Sequence, residues 1–274
     1  MSVIILILIG FLSAVIGSIV GIGGGIIIVP TLIYFGMTLG ILEGITPQTA
    51  IGTSSIILIV TGFSSTLGYL KVKQVDVKNG MIFLVGIIPG ALIGAYLSRY
   101  LTLHSFNLYF GIFLIIVAML LMVRHKIPPI QSFQKEQYMK SFTDLHGQEY
   151  HYSVVPSTAM LSSFLIGITS GLFGIGGGAL MTPLMLLVFR FPPHVAVGTS
   201  MMMIFFSSIT SSVGHVVLGH VVWGYSIILI IASWIGARLG VKINKTVQSD
   251  TVVLILRIVM LVLGIYLIVR SFYS

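Results

Sequence analysis

Gly21-Ile22-Gly23-Gly24-Gly25-Ile26-Ile27-Ile28-Val29-Pro30 lies inside an apolar stretch that runs from Ser2 to Gly36. The pattern returns as Gly174-Ile175-Gly176-Gly177-Gly178-Ala179-Leu180-Met181-Thr182-Pro183, with each glycine and the proline shifted by 153 residues. Glycine weakens a helix interior because it loses more backbone entropy than alanine and brings no side chain to pack. In lipid, backbone groups freed by a break must find partners inside the protein or in a water-lined cavity. Two such runs predict helices broken at membrane depth, whose exposed amides and carbonyls can hold a ligand.

The setting of these runs is a membrane protein. Of 274 residues, 7% are charged and 57% are apolar, against about 25% charged in a soluble domain; the mean hydropathy is +1.12. The net charge of +8 does not indicate nucleic acid, because the lysines and arginines fall in short loops between apolar spans, where membrane topology places them. No cysteine is present, which excludes a disulfide, a thiolate nucleophile and a cysteine metal site. Met1 to Gly17 lacks the positive amino-terminal region of a secretory signal and reads as a first, uncleaved span.

Taken in order, the apolar segments predict helical pieces over about 3–20 and 25–36, then helices over 47–69, 79–98 and 105–123. Thr46 is placed to cap the first of these three helices, with Pro47 at its first position. Residues 125–156 are polar, carry both signs of charge and contain Pro128-Pro129, as an extramembrane linker does. The pattern then restarts, with helices over about 157–173, from the second break to Phe189, from Pro192 or Pro193 to Gly219, 224–241 and 251–270. A second element repeats as well: Pro47-Gln48-Thr49-Ala50-Ile51-Gly52-Thr53-Ser54 returns as Pro193-His194-Val195-Ala196-Val197-Gly198-Thr199-Ser200, shifted by 146. The expected fold is an all-α polytopic membrane protein of about eight to ten helical segments. It divides into an amino-terminal transmembrane repeat (1–124), a cytoplasmic linker (125–156) and a carboxy-terminal transmembrane repeat (157–274). Each repeat is a glycine-broken helical hairpin followed by three transmembrane helices.

Loop charges choose between parallel and inverted repeats. If the broken segment is a hairpin, each half has odd parity and the halves are inverted. One side then holds Lys71, Lys73, Lys78, Arg124, Lys126, Lys135, Lys140, Arg190, Arg238, Lys242 and Lys245, while Arg99 and Arg270 remain on the other, a split of eleven to two. Even parity divides the same charges eight to five. The positive-inside rule favours the first, with the linker cytoplasmic and both termini outside.

Two copies of Gly-x-Gly-Gly-Gly-x4-Pro, each followed by Pro-x-x-Ala-x-Gly-Thr-Ser, span nearly the whole chain, and in these motifs it resembles the TauE/SafE family of membrane transporters. The resemblance implies a secondary transporter exporting sulfite, sulfoacetate or a related organosulfonate from a multi-pass position in the cell membrane. Gln48 stands where an asparagine or histidine is expected, and His194 fits.

The candidate substrate-binding residues are Gly23, Gly24, Gly25, Gln48, Thr53 and Ser54 with their counterparts Gly176, Gly177, Gly178, His194, Thr199 and Ser200. The expected partners are a small anion and the lipid bilayer, with no nucleic acid, no cofactor and no metal. Helices opening at the breaks would aim free amides and positive dipole ends at a shared cavity; the other reading of the glycines is close helix packing. The Thr and Ser hydroxyls either donate to an anion or bond a carbonyl one turn back. His194 is either a site residue or a helix-start residue. His215 reads as facing a loop, and Arg257, the one charge well inside a span, as snorkelling to a membrane face. The acids Glu43, Asp76, Glu136, Asp144, Glu149 and Asp250 fall in loops or at helix ends, so a relay of intramembrane carboxylates is not visible, and neither is a nucleophile with its base. The functions left open besides sulfur-anion export are a transporter or channel for another small anion, such as thiosulfate or a carboxylate, and a non-transporting scaffold.

Overall fold

The computed structural model describes residues 2–100, 102–122, 136–143 and 149–272. Arg124, His125, Lys126, the Pro128-Pro129 pair, Lys135, Asp144 and His146 lie outside the described residues. The chain forms helices α1 (Ser2–Val20), α2 (Gly25–Ile33), α3 (Pro47–Leu70), α4 (Val77–Leu97) and α5 (Leu103–Met122). Strands β1 (Met139–Thr143) and β2 (Glu149–Ser153) follow, then α6 (Pro156–Phe173), α7 (Gly178–Leu187), α8 (Pro193–Val217), α9 (Trp223–Asn244) and α10 (Ser249–Ser271). Seven of the described helices, α1, α3, α4, α6, α8, α9 and α10, are long and apolar enough to cross a membrane. The expected helix limits hold to within a few residues; the antiparallel β1–β2 hairpin inside the polar linker was not anticipated.

Local chemistry sets the limits. Thr46 and Thr49 form a reciprocal cap at the head of α3, each side-chain oxygen accepting the other's backbone amide at 3.2 and 2.7 Å, with Pro47 at the first helical position. Asp76 caps α4 by accepting from the Asn79 amide at 3.1 Å. Pro193 opens α8. After the first glycine run, α2 folds back along α1, so that Ile27, Thr31 and Phe35 share one groove with Leu12, Ile9 and Ile5. The broken segment is therefore a hairpin.

The bundle is organised by pairs that cross between the halves. α3 and α8 form its centre: 72% and 78% of their apolar windows are buried, against 50% or less for the other spans. The start of α3 lies against the end of α8 and the reverse, because the Ser55 hydroxyl meets that of Ser211 at 3.4 Å and Gly62 abuts the Phe205 backbone. α5 and α10 cross at Gly111 and Gly264, each glycine against the other's carbonyl, and His104 Nδ1 lies 3.0 Å from the Ser271 carbonyl. These two pairs, each made of repeat-equivalent helices, run antiparallel.

The remaining long helices pack in parallel along small residues. In α4, Gly86, Gly90 and Gly94 press on the carbonyls of Met160, Phe164 and Ile168 in α6; in α9, Gly236 and Gly240 press on those of Phe11 and Val15 in α1. A β-carbon at any of these glycines would come within 2.1–2.4 Å of its carbonyl, so the backbones approach as closely as small-residue seams allow. The two seams occupy equivalent places in the halves: each half lends its first helix to the other half's fourth.

Candidate functional site

The Gly-Thr-Ser ends of the second repeated motif build two matched clamps. A β-carbon on Gly52 would stand 1.9 Å from the His220 carbonyl, and one on Gly198 2.0 Å from that of Gln74. The α8–α9 loop thus folds over the head of α3, and the α3–α4 loop over the head of α8. Thr53 Oγ1 accepts from the Val222 amide at 3.1 Å, and Thr199 Oγ1 accepts from the Asp76 amide at 2.9 Å. Ser54 donates to the Gly174 carbonyl at 3.1 Å and Ser200 to the Gly21 carbonyl at 2.7 Å, each reaching the opposite half's glycine run. Thr182 also donates to the Gly21 carbonyl at 2.8 Å. All four motif hydroxyls are buried and engaged with backbone.

The glycine runs themselves meet halfway along the central helices. Gly21, Gly23 and Gly24 adopt φ of 77°, 75° and 91°, and Gly174, Gly176 and Gly177 adopt 65°, 63° and 32°, conformations open to glycine at no steric cost. The Ile22 and Gly23 amides turn back onto the Gly17 carbonyl at 2.9 and 3.2 Å, and the Gly177 amide donates to the Ser170 hydroxyl. α2 and α7 start at Gly25 and Gly178 without a side-chain cap, so their first amides have no acceptor within the helix. Gly25 sits against the Gly174 carbonyl and the Ile175 Cα. Leu58 and Ile204, equivalent residues near the middle of α3 and α8, fill the space beside Gly23 and Gly176. In this conformation the meeting point is closed by two apolar side chains.

From that point a polar stripe runs along each central helix, and the two are not alike. On α3 it is Thr61, Ser65, Thr66 and Tyr69, and each hydroxyl has a partner: the carbonyls of Ile57 and Gly62 for the threonines, Ser18 Oγ for Ser65 at 2.8 Å and the Ser18 carbonyl for Tyr69 at 2.7 Å. On α8 it is Ser207, Ser208, Ser211, Ser212 and His215. Ser207 bonds the Ile204 carbonyl, but Ser208 Oγ and Ser212 Oγ are buried with no partner among the described residues. His215 is fully buried; it points toward the Gly171 carbonyl, yet neither ring nitrogen makes a hydrogen bond of normal geometry among the described residues. Its ring lies 5.9 Å from that of His220, whose Nδ1 also has no partner among the described residues. Burial lowers the pKa of His220, which favours its neutral form. The expectation that His215 faces a loop is corrected here: its place on the α8 stripe turns it into the core. A buried unmade hydrogen bond costs about 1–3 kcal/mol, so this stripe suits water or a polar ligand.

Other expected residues are spread around this axis. His194 Nδ1 lies 3.0 Å from Asn244 Oδ1, and Asn244 Nδ2 donates to the Ile19 carbonyl at 2.6 Å; together they tie the head of α8 to the ends of α9 and α1. Gln48, half-buried near the head of α3, is also engaged. Arg257 is half-buried in α10, with its Nε unpartnered among the described residues.

Asp76 is a feature that sequence reasoning passed over as a loop acid. It accepts both Lys140 contacts at 2.9 Å, the Tyr152 hydroxyl at 2.8 Å and the Asn79 side chain at 2.7 Å, fastening the β hairpin to the bundle. Burial alone would raise its carboxyl, but these hydrogen bonds and the Lys140 charge outweigh it and lower its pKa. Burial, then the Asp76 charge, pushes the Tyr152 phenol up. The α8 stripe was missed too, although Ser207-Ser208, Ser211-Ser212 and His215 recur at helical spacing.

A family profile described as sulfite exporter TauE/SafE matches residues 6–267. The probable membrane transporter protein YunE of Bacillus subtilis is 45% identical over 274 residues, covering 100% of both chains. A probable membrane transporter protein of Methanocaldococcus jannaschii is 27% identical, covering 96% of this chain and 94% of its own. Sulfite exporter TauE/SafE family protein 6 of Arabidopsis thaliana is 34% identical over 98 residues, 34% of this chain and 23% of its own. No solved structure matches the chain significantly.

Proposed function

Because the chain belongs to the sulfite exporter TauE/SafE family and is a multi-pass membrane transporter, we propose that it exports a small sulfur-containing anion, sulfite, sulfoacetate or a related organosulfonate, by alternating access. The halves are inverted in the membrane in this reading, as the antiparallel pairing of α3 with α8 and α5 with α10 supports. The basic end of the bundle, which carries Lys71, Lys73, Lys78, Lys140 and Arg190, is then cytoplasmic.

The observation that carries the reading is the meeting of the two glycine runs halfway along α3 and α8, beside a stripe whose Ser208, Ser212 and His215 have no partner of normal geometry among the described residues. The anion is held at the heads of α2 and α7, by amides and dipole ends around Gly23–Gly25 and Gly176–Gly178. Leu58 and Ile204 separate the closed from the open state by moving off the glycines. The α8 stripe supplies donors on the path to the outer face. Thr53, Ser54, Thr199 and Ser200 keep the clamps in register around the site, and Gln48 and His194 brace the helix heads. A site without a fixed cation at its centre binds its anion modestly and releases it on the far side.

The test is flux through purified protein in liposomes, using radiolabelled sulfite and a panel of sulfoacetate, thiosulfate and small carboxylates as competitors. Saturable sulfite flux, competed by sulfoacetate and lost in Gly25→Leu while the variant remains folded, is the expected result. Protein-dependent flux of a carboxylate alone would replace the substrate class, and no flux of any of these anions would remove the transport assignment proposed for them.

A further inference from the structure

A cavity of about 380 Å³ opens between α3 and α9 near the basic end of the bundle. Lys71, Arg238, Lys242 and Lys245 line it, with Ser64 and Trp234 deeper in the wall, and no acidic residue contributes to it. The Arg238 guanidinium stacks over the Trp234 ring at 4.7 Å, which fixes one cation at the wall. None of the four cations makes an ion pair among the described residues. Like charges brought to one cleft repel one another, and the repulsion is relieved when an anion enters.

The duplicated architecture provides an internal control. Under the 146-residue shift, Lys71, Arg238, Lys242 and Lys245 correspond to Val217, Leu92, Tyr96 and Arg99. The equivalent positions of α4 and α8 at the opposite end thus carry one cation, Arg99, and that cation is already covered by the rings of Tyr96 and Tyr100 at 3.8 and 4.6 Å. The equivalent helix pair packs without a cluster of charge. The cluster is a property of one end alone.

The surroundings of the cleft are those of a lipid-facing surface. Phe63, Leu67 and Leu70 on α3 and Ile235 and Leu239 on α9 are exposed along the flanks, and the Phe63 ring packs 6.2 Å from Trp234. We propose that the cleft binds the phosphate of an anionic phospholipid, with the phosphodiester among Lys71, Arg238, Lys242 and Lys245 and an acyl chain along Phe63, Leu67 and Ile235. Basic pockets between helices at a cytoplasmic face suit such headgroups. The site is separate from the glycine runs and does not depend on which anion is transported. A free phosphate shares the headgroup chemistry but has no use for the apolar flank.

The experiment compares lipid retention and thermal stabilisation of the purified full-length protein in an uncharged detergent, with added phosphatidylglycerol, phosphatidylcholine or inorganic phosphate. Phosphatidylglycerol is expected to be retained in native mass spectrometry and to raise the melting temperature, whereas phosphatidylcholine and inorganic phosphate do neither. The Lys71→Gln/Arg238→Gln/Lys242→Gln/Lys245→Gln variant should lose at least about a hundredfold in apparent affinity for phosphatidylglycerol. The milder Lys71→Gln/Lys242→Gln pair, which leaves the Arg238–Trp234 stack in place, should lose about thirtyfold and guards against a folding defect. Lys73→Gln/Lys78→Gln, outside the cleft, should behave as the unaltered protein. Equal responses to the two lipids, equal stabilisation by inorganic phosphate, or an unchanged affinity in both cleft variants would overturn the proposal.

Discussion

The polar stripes of α3 and α8 occupy equivalent positions, yet one is closed on itself and the other is not. Tyr69 and His215 correspond under the 146-residue shift; the tyrosine donates to the Ser18 carbonyl at 2.7 Å, while neither buried nitrogen of the histidine makes a hydrogen bond of normal geometry among the described residues. Thr66 donates to the Gly62 carbonyl, while its counterpart Ser212 is buried with no partner among the described residues. The clamps at the two helix heads, by contrast, agree down to the atom: a glycine under a carbonyl, a threonine under an amide, a serine on the opposite glycine run. Duplication preserved what positions the helices and left one stripe free to become polar lining. The same backbone symmetry therefore supports a sealed half and a half that can take up water or ligand.

The comparison breaks most severely at the shared clamps. Gly52→Ala and Gly198→Ala should each lower stability by about 3 kcal/mol, the upper range for overpacking, since each new methyl meets a backbone carbonyl. Denaturation of both variants in detergent should give similar losses; a large loss at one end only would show that the clamps are not equivalent. Tyr69→Phe and His215→Phe sharpen the difference between the stripes. The first should cost about 1–2 kcal/mol by orphaning the buried Ser18 carbonyl, while the second leaves stability equal or higher because it removes two unmade bonds. Flux should respond in the opposite order, falling in His215→Phe and persisting in Tyr69→Phe. Equal flux in both would deny the α8 stripe its part in the path.

Smaller effects are expected at the hydroxyls. Thr53→Val and Thr199→Val should each cost about 1 kcal/mol, because the Val222 or Asp76 amide loses its acceptor; similar melting shifts with substrate affinity preserved would identify the pair as clamps, and a loss of affinity alone would return them to the ligand set. Asp76→Asn is the mildest change, about 0.5–1 kcal/mol, since it keeps the cap and removes an ion pair whose lysine is one-third exposed. The carboxyl is lowered in the folded protein, so its contribution is present above the ordinary carboxylate value of about 3.9 and is lost as pH falls through the folded value. Protection of the β1–β2 amides, measured against their intrinsic exchange rate at each pH, should fall on acidification in the unaltered protein, and Asp76→Asn should flatten that dependence.

Much of the architecture is legible in residue type and spacing alone. Glycine runs inside apolar stretches announced the broken hairpins, and two shifts, 153 and 146, announced the duplication, because backbone conformation and burial leave marks in residue type and spacing. The roles of the motif hydroxyls were not legible in the same way. Thr53 and Thr199 are satisfied by loops 169 and 123 residues away in sequence, and no local pattern reports so distant a partner. His215 was misplaced for a related reason: a histidine near a helix end looks solvated until the neighbouring helices are known. Asp76 gave no sign of its latch, since its partners Lys140 and Tyr152 lie in a stretch whose polarity resembled a plain linker.

The crossed small-residue seams also set an order of assembly during synthesis. α4 can close on α6 as soon as the second half begins to emerge. α1 has no such early partner: Asn244 reaches Ile19 across 225 residues, and the seam stays open until α9 is made. At about 5–20 residues per second the first helix waits about 10–45 s for the surface it was shaped to meet. Throughout that interval the newborn chain holds its Gly10–Ala14–Ser18 face toward lipid or toward whatever insertion machinery shields it, and the last long helices to arrive complete the packing of the first.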